Sequence, residues 1–261
     1  MARLKSLVLA LLLFWNAPAA AEEVRVMTSG GFTAAYDVLG PQFEKATGLM
    51  LVTAYGASSG GAPDSIPERL TRGEPADLII LSRDALDDLA MKGRVVPGSR
   101  IDLVRSKIGM AVRAGAPKPD ISSREKFRQA LLNATSIGYS ASASGTYLAE
   151  TLFPRLGVWD QIKGKTKRVV SERVAAVVAR GEVQIGFQQV SEILPIKGAD
   201  YAGLIPEDLQ EITLFSAGIT TSARNAQGAR QLLNYLSSRE VAPAMAATGL
   251  DPVVLDNAPA R

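Results

Sequence analysis

The residues best suited to chemistry lie between Tyr55 and Asp77, in a stretch whose first half reads Tyr55-Gly56-Ala57-Ser58-Ser59-Gly60-Gly61. Glycines let backbone N–H groups crowd around a ligand, and serines add hydroxyls or cap a following helix. The stretch follows an apolar strand pattern, Leu49 to Ala54, so it is a loop that opens a helix. Such a loop is a natural holder of an anion. A surface linker is the competing reading for one loop in isolation. The design recurs, however: Ser29-Gly30-Gly31, Ala141-Ser142-Ala143-Ser144-Gly145 and Ser171-Glu172-Arg173 also separate a strand pattern from a helix pattern.

Two absences narrow the chemistry. The chain has no Cys, which excludes disulfides, thiolate nucleophiles and Cys-ligated metals, and no His, the commonest general base and metal ligand. Proton transfer therefore has to use Ser, Tyr, Lys, Arg, Asp or Glu, and neither a metal nor another cofactor is expected. Gly56-Ala57-Ser58-Ser59-Gly60 has the form of a hydrolase nucleophile elbow, but no histidine is present to take the serine proton. Ser123 and Lys126 match a serine–lysine spacing, yet Ser123 falls where a helix is being capped. Asp87 and Asp88 fall on the outer face of a predicted helix and read as solvated charges.

Charge also excludes partners. Met1 to Ala21 combines a basic start (Arg3, Lys5), an apolar run from Leu7 to Trp15 and the small residues Ala19-Ala20-Ala21. This is the pattern of a secretory signal, too short to span a bilayer, and export to a bacterial periplasm follows. Without it the formal charge falls from +3 to about +1, and no basic stripe interleaved with aromatics remains for nucleic acid.

The elements that must position these loops alternate. Strand patterns at Val24–Ser29, Leu49–Ala54, Asp77–Leu81, Ser136–Ser140 and Arg168–Val170 are each followed by a turn and a helix pattern, and Val183–Phe187 is a further buried strand pattern that ends in Gln188-Gln189. Ser122 and Glu125 have the spacing of a capping box for a helix running to Asn133. The alternation predicts an α/β fold with mostly parallel sheets flanked by helices. Ile101 to Arg113 is one long extended pattern interrupted by Gly109, long enough to cross between lobes. Every polar cluster sits at the C-terminal end of a strand, the edge where open α/β sheets bind ligands. Two such lobes face to face make a cleft for a small anion.

The chain resembles type II periplasmic solute-binding proteins of the molybdate-binding family. The resemblance rests on Gly73-Glu74-Pro75-Ala76-Asp77-Leu78-Ile79-Ile80, on Gly138-Tyr139-Ser140 with Gly145-Thr146-Tyr147, and on Ala179-Arg180-Gly181-Glu182-Val183-Gln184-Ile185-Gly186. It implies a two-lobed fold, with residues 22–104 and 216–261 in the first lobe and 105–215 in the second. It further implies ligand contacts at Ser29, Ser58 and Ser59 in the first lobe. Ser142 or Ser144 and the turn before Val174 supply those of the second. Two departures shift the expected ligand. Gly61 to Glu68 enlarges the first loop and brings in Arg69, and Gln189 stands where the oxyanion receptors carry a ligand-contacting tyrosine. Forked arginines suit separate carboxylates, so Arg69 and Arg173 are candidate clamps.

The enlarged loop resembles the branch that contains aconitate isomerase. That resemblance implies cofactor-free proton transfer on a tricarboxylate, with Glu172, Tyr147, a lysine or an activated serine as the proton carrier. A receptor that hands a polycarboxylate or oxyanion to the membrane subunits of an ABC transporter is the alternative. A monomer is expected in either case.

Overall fold

The computed structural model describes residues 22–59 and 61–253; the signal pattern of Met1 to Ala21 lies outside them. The chain starts with strand β1 (Glu23–Ser29), whose inward residues Val24 and Val26 are almost wholly buried. It continues into helix α1 (Gly30–Thr47), three residues earlier than the Thr33 start that the apolar spacing predicts. Gly48 stops this helix in the left-handed conformation, φ 75°, which a residue without Cβ adopts at little cost. Strand β2 (Met50–Gly56), helix α2 (Ile66–Thr71), strand β3 (Leu78–Ser82), helix α3 (Arg83–Met91) and strand β4 (Ile101–Ser106) complete the first pass.

Lys107 is the crossing point. The extended stretch breaks there rather than at Gly109, and strand β5 (Ile108–Arg113) belongs to a second sheet. Helix α4 (Arg124–Asn133) follows; its cap is Ser123, whose Oγ accepts the Lys126 N–H at 3.3 Å, one residue later than the Ser122 box predicts. Strand β6 (Ile137–Ser140) leads into helix α5 (Ala143–Tyr147), which runs on through a widened turn at Leu148–Leu152 to Phe153–Arg155. Pro154, which has no N–H to give, lies just past the widened turn. Next come strand β7 (Thr166–Val169), helix α6 (Val174–Ala179), strand β8 (Ile185–Gln189), the short helix α7 (Val190–Ile193) and strand β9 (Ala199–Leu204). Strand β10 (Thr213–Ile219) returns to the first sheet, followed by helix α8 (Ala226–Leu236) and the two-residue strand β11 (Asp251–Pro252).

The six-stranded first sheet has the order β11-β4-β10-β3-β1-β2, and the five-stranded second sheet β7-β6-β8-β5-β9. In each, three strands pair in parallel: β2-β1-β3 and β7-β6-β8. The strands that carry the chain across and back, β4, β5 and β10, pair antiparallel. Both sheets are therefore mixed, because a chain that crosses to a second lobe and returns has to reverse direction. Each lobe has its own core, Phe32, Leu39, Phe43 and Leu232 in the first and Phe127, Leu131, Phe153 and Phe187 in the second. At about 1.5–3 kcal/mol per buried large side chain, each cluster stabilises the packing of the helices on its own sheet.

Candidate functional site

Strands β1 and β2 of the first sheet and β6, β7 and β8 of the second deliver their C-terminal ends to one cavity of about 480 Å³, within the range of small-molecule sites. From the first lobe it is lined by Ser29, Gly30, Asp37, Tyr55, Ser58, Ser59, Asp64 and Phe215; from the second by Ser140 to Ser144, Ser171, Glu172, Arg173, Gln188, Gln189 and Glu192. Of the residues expected from sequence, the structure brings together Ser29, Ser58, Ser59, Ser142, Ser144, Glu172, Arg173 and Gln189.

Their hydrogen bonding differs from residue to residue. Ser29 is 1% exposed, and its Oγ has no partner among the described residues. Gln189 donates from Nε2 to Thr213 Oγ1 at 2.8 Å while its Oε1 has none. A buried polar atom without a partner is destabilising by about 1–3 kcal/mol, so both atoms gain when a polar ligand enters. Ser58 Oγ accepts the Ser82 N–H at 2.9 Å and keeps its own O–H to donate. Ser144 Oγ lies 3.3 Å from Ser140 Oγ. Ser29 and Ser142, which both line the cavity, precede α1 and α5 without a side-chain cap bond, so neither hydroxyl is spent on the first-turn N–H groups of its helix.

The carboxylates around the cavity are mostly engaged. Asp37 accepts from Tyr55 Oη at 2.7 Å, and partial burial together with that carboxylate pushes the Tyr55 phenol up to about 12. Asp64, from the enlarged loop, accepts the Ser171 hydroxyl at 2.7 Å across the mouth of the cleft. Ser171 has φ 61°, a left-handed conformation uncommon for a side-chain-bearing residue, and this turn presents its hydroxyl to the first lobe. Glu172 is exposed at the rim and meets Arg180 Nη2 with both oxygens, at 2.9 and 3.1 Å. Arg173, by contrast, forms no ion pair with a described residue. Arg173 is thus a half-buried guanidinium among the cavity's hydroxyls, a positive charge suited to an anion.

Two expected residues are placed elsewhere. Arg69 spends its donors within its own loop, Nη1 on Glu74 Oε1 at 2.6 Å and Nε on the Asp64 carbonyl at 3.0 Å, and does not line the cavity. It braces the enlarged loop where sequence reasoning has it clamp a carboxylate. Arg69→Ala is accordingly expected to lower stability by about 1–3 kcal/mol, measurable by urea unfolding of the free protein. Tyr147 donates from its hydroxyl to the Leu209 carbonyl at 2.9 Å, receives Arg155 at 3.2 Å, and faces a neighbouring depression. Burial raises its phenol pKa further, which suits a fixed donor better than a proton carrier at neutral pH.

Glu192 is the site residue that sequence reasoning misses. It is the third residue of α7, and the Gln189 N–H and the Gln188 amide both donate to its carboxylate, the backbone half of a capping box. Burial raises its pKa to about 7, outweighing the lowering by Arg173 and by those hydrogen bonds. Gly30 makes room for it, since a Cβ there would come within 2.1 Å of Glu192 Oε1.

Two α/β units with a polar cleft between their strand ends define a type II periplasmic-binding-protein fold. The chain matches the bacterial extracellular solute-binding protein family over residues 24–251 and belongs to it. It is 44% identical over 255 residues to the aconitate isomerase of a Pseudomonas species, covering 96% of this chain and 97% of that protein. To the molybdate-binding protein ModA of Escherichia coli it is 24% identical, over 87% of this chain and 88% of that one. Among solved structures, the Azotobacter vinelandii periplasmic molybdate-binding protein superposes with a TM-score of 0.72 at 22% identity, covering 89% of this chain and all of that one. A periplasmic thiamin-binding protein gives 0.70 at 15% identity, covering 94% and 87%. These superpositions define the fold.

Proposed function

We propose that this protein interconverts cis- and trans-aconitate by proton transfer without a cofactor. The observation that carries the reading is the 44% identity to an aconitate isomerase over nearly the whole of both chains. The cavity supports it in kind: one uncommitted arginine, several hydroxyls and two helix N-termini offer separate stations for separate carboxylates. Donors placed on the carboxylate that becomes enolate-like stabilise the charge that develops in the transition state, often the largest catalytic term. The site residues in this reading are Ser29, Ser58, Ser59, Ser142, Ser144, Arg173 and Gln189, with the protein acting as an exported, periplasmic monomer.

The test is to incubate the purified protein with trans-aconitate in D2O and follow the solution by NMR. Catalytic appearance of cis-aconitate is the expected result. Ligand-dependent thermal stabilisation with no turnover over hours would replace the isomerase by a receptor, the reading that the molybdate-binding relatives favour, with transporter membrane subunits as partners. Arg173→Ala is expected to weaken trans-aconitate binding about 10- to 100-fold, the loss of a charge-assisted hydrogen bond of about 1.5–3 kcal/mol. The melting temperature of the free protein at pH 5, where Glu192 is protonated and Arg173 has no charge there to offset, should hardly change, because Arg173 forms no ion pair with a described residue. Calorimetric titration beside thermal melts checks both.

A further inference from the structure

Resting on the isomerase reading, we propose that Glu192 is the catalytic acid–base, a single carboxyl that carries the substrate proton from one carbon of the allylic system to the other. The placement of the cavity's carboxylates singles it out. Asp37 is held by Tyr55, Asp64 by Ser171 and Glu172 by Arg180. Among the described residues, Glu192 alone of these four has no side chain of opposite charge within ion-pair distance and no hydroxyl bound to it; the Gln188 amide and the Gln189 N–H donate to it. It stands on a short helix directly after buried strand β8, so its backbone is fixed by the second sheet. Its Oε1 lies over Gly30, the first residue of the 18-residue helix α1, and so at the seam where the two lobes meet around the ligand. Ser191, its neighbour, donates to the Gly31 carbonyl at 2.7 Å and pins the same seam.

The step balances with no further reactant. The Glu192 carboxylate takes a proton from the methylene carbon of trans-aconitate, and the C–H electron pair becomes the new carbon–carbon double bond. The former π pair moves to the far carbon, which takes the same proton back from the Glu192 carboxyl. The rotamer of the central carbon–methylene bond at abstraction sets the geometry of the new double bond, so a conformer held by Arg173 and the serines decides whether cis or trans results. Carrying the proton both ways needs a carboxyl of which both forms are populated near neutral pH, and burial pushes Glu192 to about 7 for that purpose. The charged group facing it is Arg173, from the turn before α6; Asp37 of α1 and Glu172 line the same cavity, and β8 contributes the neutral Gln188.

The test compares wild type with Glu192→Gln and Glu192→Asp, using trans-aconitate. Glu192→Gln is expected to lower kcat about 10²- to 10⁴-fold while the calorimetric Kd stays within a few-fold. Glu192→Asp should keep partial turnover, and the acid limb of the wild-type kcat/KM profile should vanish from the residual activity of Glu192→Gln. Exchange of the methylene hydrogen of bound trans-aconitate with D2O should stop in the same variant. Exchange at the wild-type rate, or more than a tenth of wild-type kcat, would assign the proton to another group. Equal loss of binding and turnover in both variants, with a lowered melting temperature, would make Glu192 structural. If wild type itself turns over no aconitate, the isomerase reading falls and this proposal with it, an outcome visible without any variant.

Discussion

Asp77→Ala is expected to lower the free energy of unfolding by about 3–5 kcal/mol, the largest loss of stability that a single polar residue of this chain should produce. The Asp77 carboxylate is 2% exposed and accepts three backbone N–H groups: Arg25 at 2.7 Å, Arg224 at 2.6 Å and Asn225 at 3.0 Å. It thereby ties the start of β3 to the start of β1 and to the entry of α8. The alanine variant leaves these donors in a buried setting, each losing a charge-assisted bond. Asp77→Asn keeps one acceptor oxygen but turns an NH2 toward donors, so an intermediate loss is expected. Urea unfolding measures it, as a lower midpoint at an unchanged m-value. Affinity for trans-aconitate at a temperature where the variant is folded should match wild type. Four residues of strand, roughly 13 Å, separate Arg25 from Ser29 at the cavity. A loss below 1 kcal/mol would show that water satisfies the three N–H groups instead.

The placement of Asp77 explains what the sequence can and cannot disclose. The segment Gly73 to Ile80 carries much of the family resemblance, and its acidic residue secures the end of the sheet remote from the ligand. Such a motif speaks for the fold and hardly at all for what the cleft binds. Strand-ending serines were legible because short strands followed by Ser and Gly have a strong local signal, and the sheets gather them at one edge whatever the helices do. Arg69 misleads for a complementary reason. A guanidinium in a lengthened loop looks like a clamp, but only the folded loop shows that Glu74 and the Asp64 carbonyl already occupy it. Strand β9 has partly buried residues from Ala199 to Gly203 and an exposed Leu204, with no alternation, so periodicity passes over it. Glu192 is silent because its capping position follows a glutamine, a residue outside the usual N-cap set, and because its neighbour Gly30 is 162 positions away in sequence.

Glu192→Gln should also stabilise the free protein at pH 8 relative to wild type while changing it little at pH 5. The carboxyl rises from 4.5 to about 7 on folding, chiefly through burial. Between those values the folded protein keeps a proton that the unfolded chain has released, so stability falls as pH rises through this window and levels off above 7. The contribution is fully present below the unfolded value and lost above the folded one, about 3 kcal/mol at most. Glutamine has no charge to desolvate, and its amide can still meet the Gln188 and Gln189 donors with its oxygen. The difference in melting temperature between variant and wild type should therefore grow from pH 5 to pH 7 and stay constant to pH 8.5. A difference that does not vary with pH would mean that Glu192 ionises at its ordinary value, and would withdraw the reason for a proton carrier there. If it grows as expected, the free protein is held less stable at neutral pH by the carboxyl that its cleft uses, and a cationic neighbour, together with the Gln188 and Gln189 donors, offsets only part of that. Arg173 is that neighbour, and adding Arg173→Ala to wild type should raise the upper end of the window above 7, whereas in the Glu192→Gln background it should leave the pH dependence unchanged.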